Sequence, residues 1–172
     1  MIYTVPFSLI FKAQLGDAWP GEHYTIPMVK AHTTEGQRAL MQAVEKRLVV
    51  EKVFVSRETV KDCIALSGGA LRDLLRLIRM SCGPQDRISK QDGKDAFNRF
   101  LRQEARLIRE EDKSRLRECA ETRELPNRED YEFLLHNRLL HEYQNGERWV
   151  DVHPAIKIVL DLPGKPLLKT FS

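Results

Sequence analysis

Cysteines and long apolar runs are both scarce in this chain. Cys63, Cys82 and Cys119 are isolated and odd in number, which predicts neither a disulfide framework nor a paired-cysteine metal site. The longest nearly apolar run, residues 5–11, is far shorter than the roughly 20 residues that span a bilayer. No basic start followed by an apolar segment and a small-residue cleavage site indicates a secretory signal. These absences predict a soluble cytoplasmic protein with no membrane partner.

Complete catalytic signatures are also lacking. The sequence contains no G-x-x-x-x-G-K-[ST] phosphate loop, no HExxH, no GxSxG and no paired cysteine–histidine spacing. Gly164–Lys165 lies in a proline-flanked segment without the upstream glycine that a phosphate loop needs. The chain shows no self-sufficient catalytic site, so its sequence leaves open whether it is part of an enzyme.

Charge is balanced rather than strongly basic. Lys and Arg total 28 and Asp and Glu total 25, which gives a net charge of +3. Residues 89–172 are neutral overall, with 16 basic and 16 acidic side chains. A strong nucleic-acid binder usually carries a basic stripe, which in this chain must be local.

Hydrophobic periodicity predicts a mainly α protein that ends in a hairpin. Residues 2–11 and 24–29 are short extended segments, and helical spacing of apolar residues follows up to about residue 137. Asn145–Gly146 then predicts a two-residue turn, since both positions tolerate positive φ. In that register one face of the hairpin carries Leu139, His141, Tyr143, Arg148, Val150 and Val152. Helices followed by one hairpin are the element order of a winged helix.

The segment Ser67–Leu77, SGGALRDLLRL, contains the strongest candidate for a functional site. Gly68 and Gly69 end one helix and start another, so Arg72 falls in the first turn of the new helix. A fixed helix start and a bidentate guanidinium suit an oxygen-rich anion such as a nucleotide γ-phosphate. An ordinary structural role explains the same spacing. In that case Arg72 pairs with a carboxylate at the helix start, and the basic face of the helix is simply solvated.

The run IALSGGALRDLLRLIRMSC resembles the sensor 2 region of AAA+ ATPases, in particular the origin-recognition-like branch and its bacterial relatives. In that branch a helical lid carries an SGG-x-x-R-type motif and a winged helix follows. LLHNRLLHEYQNGERWVDVHP resembles the wing of bacterial members, and IYTVPFSLIF and YTIPMVKAHT resemble strands of the ATPase core. The resemblance covers about residues 1–160, and the family's Walker A and Walker B segments lie upstream of everything that it covers.

The resemblance implies an extended remnant of the core over residues 1–34, a helical lid over 35–88, a winged-helix domain over 89–161 and a flexible tail over 162–172. It further implies the C-terminal portion of an ATPase that does not hydrolyse ATP by itself. ATP and Mg²⁺ would be bound only with an intact ATPase core, supplied upstream or by a neighbouring subunit. Self-association into a homo-oligomer is also expected, as in AAA+ rings.

Carried over residue by residue, the resemblance makes Arg72 the sensor 2 arginine that contacts the γ-phosphate of ATP, next to Gly68 and Gly69. Thr4 matches the polar sensor 1 position that orients the attacking water, although a hydroxyl at a strand end is an equally good interpretation. Arg47 matches a recurrent lid arginine, but a surface role explains it better.

Two rival interpretations belong to other classes. One is a stand-alone winged-helix DNA-binding regulator, and the other is a non-catalytic protein–protein scaffold. The nucleic-acid candidates are Arg128 at the start of the predicted recognition helix and Arg148 and Trp149 on the wing. The acids that open that helix and the neutral C-terminal half argue against DNA binding.

Two further groups of residues have ordinary structural explanations. A basic stripe comprises Arg99, Arg102, Arg106 and Arg109. Acids at Glu104 and at residues 110–112 dilute it, which favours a solvated amphipathic helix. The clustered histidines are His136, His141 and His153. They lack a second pair of ligands, which favours structural roles and no metal site.

Overall fold

A computed structural model describes residues 28–126, 129–145 and 147–171, and within this part the fold is mainly helical, which confirms the predicted class. The helices are α1 (Thr34–Glu45), α2 (Val50–Val53), α3 (Arg57–Ser67), α4 (Leu71–Ser81), α5 (Lys90–Ala105), α6 (Lys113–Thr122), α7 (Glu132–His136) and α8 (Pro154–Val159). Between α7 and α8, strands β1 (Leu140–Asn145) and β2 (Glu147–Val152) form an antiparallel hairpin. Short 3-10 helices, Glu110–Asp112 and Glu129–Tyr131, precede α6 and α7. None of the described helices has the length and apolar character needed to cross a membrane.

Local side-chain caps fix where α1, α3 and α5 begin. The hydroxyls of Thr33 and Ser56 accept backbone N–H bonds at the starts of α1 and α3. Ser89 and Asp92 form a reciprocal capping box at the start of α5. Each cap satisfies amides that have no partner inside the helix, and a cap of this kind is worth about 1 kcal/mol.

Two hydrophobic cores organise the described chain. The first lies among α1, α3, α4 and α5, and its large buried side chains include Phe54, Ile64, Leu74, Leu77 and Phe100. The second lies under the hairpin and α6 to α8, and it includes Leu116, Leu134, Leu139, Val150 and Ile156. The resemblance implied a domain boundary between residues 88 and 89. The apolar face of α5 packs into the first core, which also contains Ala155 of α8, so α5 contacts helices on both sides of that boundary.

The C-terminal segment also differs from the expected flexible tail over residues 162–172. The backbone amides of Lys169 and Thr170 donate to the buried carboxylate of Asp62, at 2.9 and 2.6 Å. Phe171 is buried and stacks on Phe97, with ring centroids 5.3 Å apart. Residues 168–171 thus form a strap that packs onto the first core through Leu168 and Phe171.

The hairpin register differs by one residue from the predicted register. Tyr143 pairs with Trp149 and Leu140 pairs with Val152, whereas the predicted turn would place Tyr143 opposite Arg148. A shift of one residue changes which side chains of the two strands share a face. Leu140 and Val152 thus lie together in the second core, and Tyr143 stacks on Trp149 at 4.2 Å between ring centroids.

Candidate functional site

Glycine is required at both positions of the pair after α3, by the backbone conformation and by close packing. Gly68 ends α3 with a φ of 59°, in the left-handed region, and Gly69 has a φ of 95°. A Cβ on Gly69 would lie 1.7 Å from the carbonyl oxygen of Val29, and a Cβ on Gly68 would lie 2.8 Å from Nδ1 of His141. The Gly68 carbonyl accepts a 2.6 Å hydrogen bond from the hydroxyl of Tyr143. The fold therefore requires glycine at both positions, independently of any ligand.

Arg72 lies in the first turn of α4, where the glycine pair predicts it, and its side chain is exposed. No carboxylate within the described ranges pairs with its guanidinium. Ala70 is the N-cap of α4 and supplies no side-chain hydrogen bond to the first amides of the helix. Among the described residues, Arg72 thus presents an unpaired guanidinium from the first turn of α4, near the positive end of the helix dipole.

Asp73, the next residue, is buried and has several partners. Nη1 of Arg138 donates to both of its carboxylate oxygens, at 3.0 and 3.1 Å, and Nε2 of His153 lies 3.8 Å from it. Burial alone raises the pKa of Asp73, but His153 and the positive charge of Arg138 outweigh burial and hold this pKa below its usual value. Asp73 therefore remains a carboxylate and ties α4 to the segment between α7 and β1.

Two buried histidines complete this cluster, His141 on β1 and His153 just before α8. Their rings lie 4.7 Å apart, and the ligand atoms of Asp73, His141 and His153 are all within 4.8 Å of one another. Neither ring nitrogen of His141 has a hydrogen-bond partner among the described residues. Burial, reinforced by the neighbouring His153, lowers the pKa of His141 to about 3, so this ring is neutral near pH 7.

Two histidines and a carboxylate at this spacing could hold a metal ion, but the hydrogen bonds argue against one. Nδ1 of His153 accepts a 3.0 Å hydrogen bond from the amide of Ala155. In the neutral ring the proton must then be on Nε2, the nitrogen nearest Asp73, where a metal would need a lone pair. The Arg138 guanidinium on Asp73 would also repel a divalent cation. We interpret the cluster as a polar junction, hereafter the Asp73 junction.

Trp149, a candidate for nucleic-acid contact, packs within the fold. One face of its indole ring is stacked on Tyr143 at an interplanar angle of 13°. The ring of His32 meets it edge-on at 5.8 Å, and the guanidinium of Arg123 lies 5.7 Å from its centroid. A base could not stack on the face that Tyr143 covers.

The other predicted site residues are not brought together. Thr4 and Arg128 lie outside the described residues, as does the turn residue Gly146. Arg148 belongs to β2 by its backbone, and its side chain is not among those described. Arg47 lies just after α1 and donates to the carbonyl of Ala43 at 2.7 Å, a local contact on the surface.

Sequence reasoning missed the Asp73 junction as a unit. The single signal was Asp73 itself, a carboxylate next to the buried Leu74 on a helix whose apolar face enters a core, where it needs a partner. That partner, Arg138, is 65 residues away, and spacing along the chain cannot reveal it. The spacing of the two histidines predicts no metal site, and nothing in it links them to α4.

Comparison with known proteins gives no relative for this chain, since no family model, no curated protein and no solved structure matches it. The function must therefore be inferred from the site itself, which has an exposed arginine at a helix start and a buried polar junction directly beneath it.

Proposed function

We propose that this chain is the lid and winged helix of an AAA+ ATPase of the origin-recognition-like branch, with Arg72 as its sensor 2 arginine. Helices α1 to α5 would form the lid, and the elements from α6 to α8 would form the winged helix. ATP and Mg²⁺ bind to an ATPase core that is supplied upstream or by a neighbouring subunit. The element order, the left-handed glycine pair and the hairpin before α8 support this proposal.

The observation that carries the proposal is the state of Arg72. Its side chain is exposed, and the carboxylate next to it in sequence, Asp73, is turned inward and neutralised by Arg138. A structural ion pair, the competing explanation for a helix-start arginine, would need a carboxylate beside Arg72. None of the described acidic side chains provides one.

An arginine in this position suits the chemistry of ATP hydrolysis. Negative charge spreads over the phosphoryl oxygens in the transition state, and a positioned guanidinium stabilises that charge. Because Arg72 is on the proposed lid and not on the ATPase core, its contact with the γ-phosphate depends on how the lid lies against the core. Loss of the γ-phosphate on hydrolysis would release the contact.

The Asp73 junction would couple this release to a movement of the hairpin. Asp73 follows Arg72 directly on α4 and is bound by Arg138, which lies between α7 and β1. A displacement of the start of α4 would therefore be passed to the segment before the hairpin through this partly buried ion pair. In this proposal the lid and the hairpin move together when the nucleotide changes.

The test is ATP hydrolysis by an ATPase in which this chain follows a core with Walker A and Walker B segments. Arg72→Ala should lower kcat on the order of 100-fold, the loss typical of one transition-state donor. Arg72→Lys should recover part of the rate, because it keeps the charge and loses the bidentate geometry.

The matched control is Arg79→Ala, which removes another exposed arginine from the same helix two turns further on. Its hydrolysis rate, measured without nucleic acid, should equal that of the wild type. Unchanged hydrolysis together with unchanged ATP affinity in Arg72→Ala would remove Arg72 from the mechanism.

A further inference from the structure

Exposed arginines of α4 and α5 form a basic surface that the proposed nucleotide contact does not use. This surface consists of Arg79 on α4, Arg99 and Arg102 on α5, and Arg106 directly after α5. We name it the α4–α5 arginine surface. Arg99, Arg102 and Arg106 lie in a segment that was expected in a different domain from Arg79, so the sequence did not unite Arg79 with them.

Contacts between the two helices place these arginines side by side. Arg76 on α4 donates to Glu104 at 2.7 Å and to Gln103 at 2.5 Å. Near the other end of α4, Arg99 donates to the carbonyl of Met80 at 2.5 Å. Residues three or four positions apart share one face of a helix. Arg79, one turn after Arg76, and Arg102, one turn after Arg99, therefore lie on the same side of the two packed helices.

The acids that seemed to dilute this stripe are used elsewhere in the fold. Glu104 is buried and forms an ion pair with Arg76. Beyond α5 the pairs are Glu110 with Lys113, and Glu111 and Asp112 with Arg109. Within the described ranges no carboxylate pairs with any arginine of the surface. Asp95, held by Gln91, lies one turn before Arg99 and borders the surface.

We propose that the α4–α5 arginine surface binds the phosphate backbone of duplex DNA. Arginine carries a permanent positive charge that attracts phosphate oxygens. Arg99 and Arg106 are seven positions apart, about 10 Å along the helix, which corresponds to roughly three phosphates of one strand. Packed helices lie about 8–10 Å apart, so Arg79 on α4 and the arginine row of α5 can contact the strands on either side of one groove.

An acidic protein partner fits this surface less well. Protein interfaces are centred on buried aromatic or apolar anchors, whereas DNA interfaces are polar and positively charged. Near this surface the exposed large apolar side chains of the described chain are Leu71 and Leu107, and both lie at one end. The wing is a poorer DNA contact because Trp149 is already stacked on Tyr143.

The experiment measures binding of the full 172-residue chain to a fluorescent duplex. Anisotropy with DNA of about 30 base pairs is followed from about 50 to 300 mM NaCl. The double variant Arg102→Ala, Arg106→Ala should weaken binding by about tenfold per arginine near 0.1 M salt, and the slope of log K against log salt should fall by about 2. Replacing the same two residues by lysine should keep affinity within about threefold, because phosphate contacts depend mainly on charge.

Arg57→Ala is the charge control for Arg102→Ala. Arg57 is on α3 and pairs with Glu45 and Glu51, so its loss should change affinity less than about twofold. Equal losses in the two single variants would overturn the proposal, and so would absence of binding at the lowest salt. Polyglutamate that competes as well as unlabelled duplex would assign the surface to an acidic protein instead. Loss of binding in Trp149→Ala but not in the double variant would assign it to the wing.

Discussion

Two neighbouring residues of α4, Arg72 and Asp73, lie in opposite surroundings. On the outer side, Arg72 and the α4–α5 arginine surface have no carboxylate partner among the described residues. On the inner side, Asp73 meets Arg138 and His153 in a buried junction. The two faces of α4 therefore differ in charge, with a paired anion on the buried face and, within the described part of the chain, unpaired cations on the exposed face. Anions are satisfied beneath α4, while cations at its surface remain available to an external anion.

The largest expected difference between the two residues is in how much each contributes to stability. Asp73→Ala removes the buried carboxylate that neutralises the Arg138 guanidinium, so it should lower the free energy of unfolding by about 3 kcal/mol. Arg72→Ala removes a neighbouring charge that pairs with no described group, and it should change stability by less than about 0.5 kcal/mol. Urea unfolding at neutral pH measures both. Similar small values for the two variants would contradict the contrast between inner and outer charges.

A pH effect of intermediate size is expected from His141, which is buried on the inner side of α4. The pKa of His141 is about 3 in the folded chain, against 6.5 for an unperturbed histidine. Between these values the unfolded state binds more protons, so stability should fall as pH drops below 6.5, by about 2 kcal/mol at pH 5. Asp73, Arg138 and His153 face this ring. The pKa of Asp73 is lowered from 3.8, so its contribution is lost only at lower pH.

Unfolding of the wild type and of His141→Gln between pH 7 and pH 5 tests this expectation. The variant has no titrating ring at this position, so it should lose less stability than the wild type over that interval, while His32, whose pKa is also lowered by burial, titrates in both. A loss in the wild type no larger than that in the variant would show that His141 does not stay neutral when the chain folds.

The smallest predicted effect concerns the contact between the hairpin and the glycine pair. Tyr143→Phe removes the buried hydrogen bond to the Gly68 carbonyl and should cost about 1 kcal/mol. The control is Tyr131→Phe, whose hydroxyl bonds to the exposed Glu118, so its thermal midpoint should fall less. A larger drop for Tyr131→Phe would show that the Gly68 bond is not the stronger one.

Features set by neighbouring residues could be predicted from the sequence. The helical class, the left-handed end of α3 at Gly68 and the start of α4 before Arg72 all follow from local conformational preferences. The hairpin was also predicted, because Asn145–Gly146 is a strong turn signal. Its register was wrong by one residue, since burial of Val152 opposite Leu140 in the second core decides the pairing.

Features set by distant residues could not be predicted in the same way. The arginine stripe of α5 looked diluted because Glu104 is near it in sequence, whereas packing against α4 buries Glu104 under Arg76. The Asp73 junction depends on Arg138 in the same sense. Sequence spacing shows which charges are close along one helix, but only the packing of two helices shows which charges remain exposed.

The strap at the C-terminal end of the described chain has a consequence for synthesis. Asp62 on α3 receives its backbone donors from residues 107 and 108 positions later. On a nascent chain the Asp62 carboxylate therefore stays open to water until Lys169 and Thr170 have emerged from the ribosome. The helices of the first core are translated before the segment that completes that core.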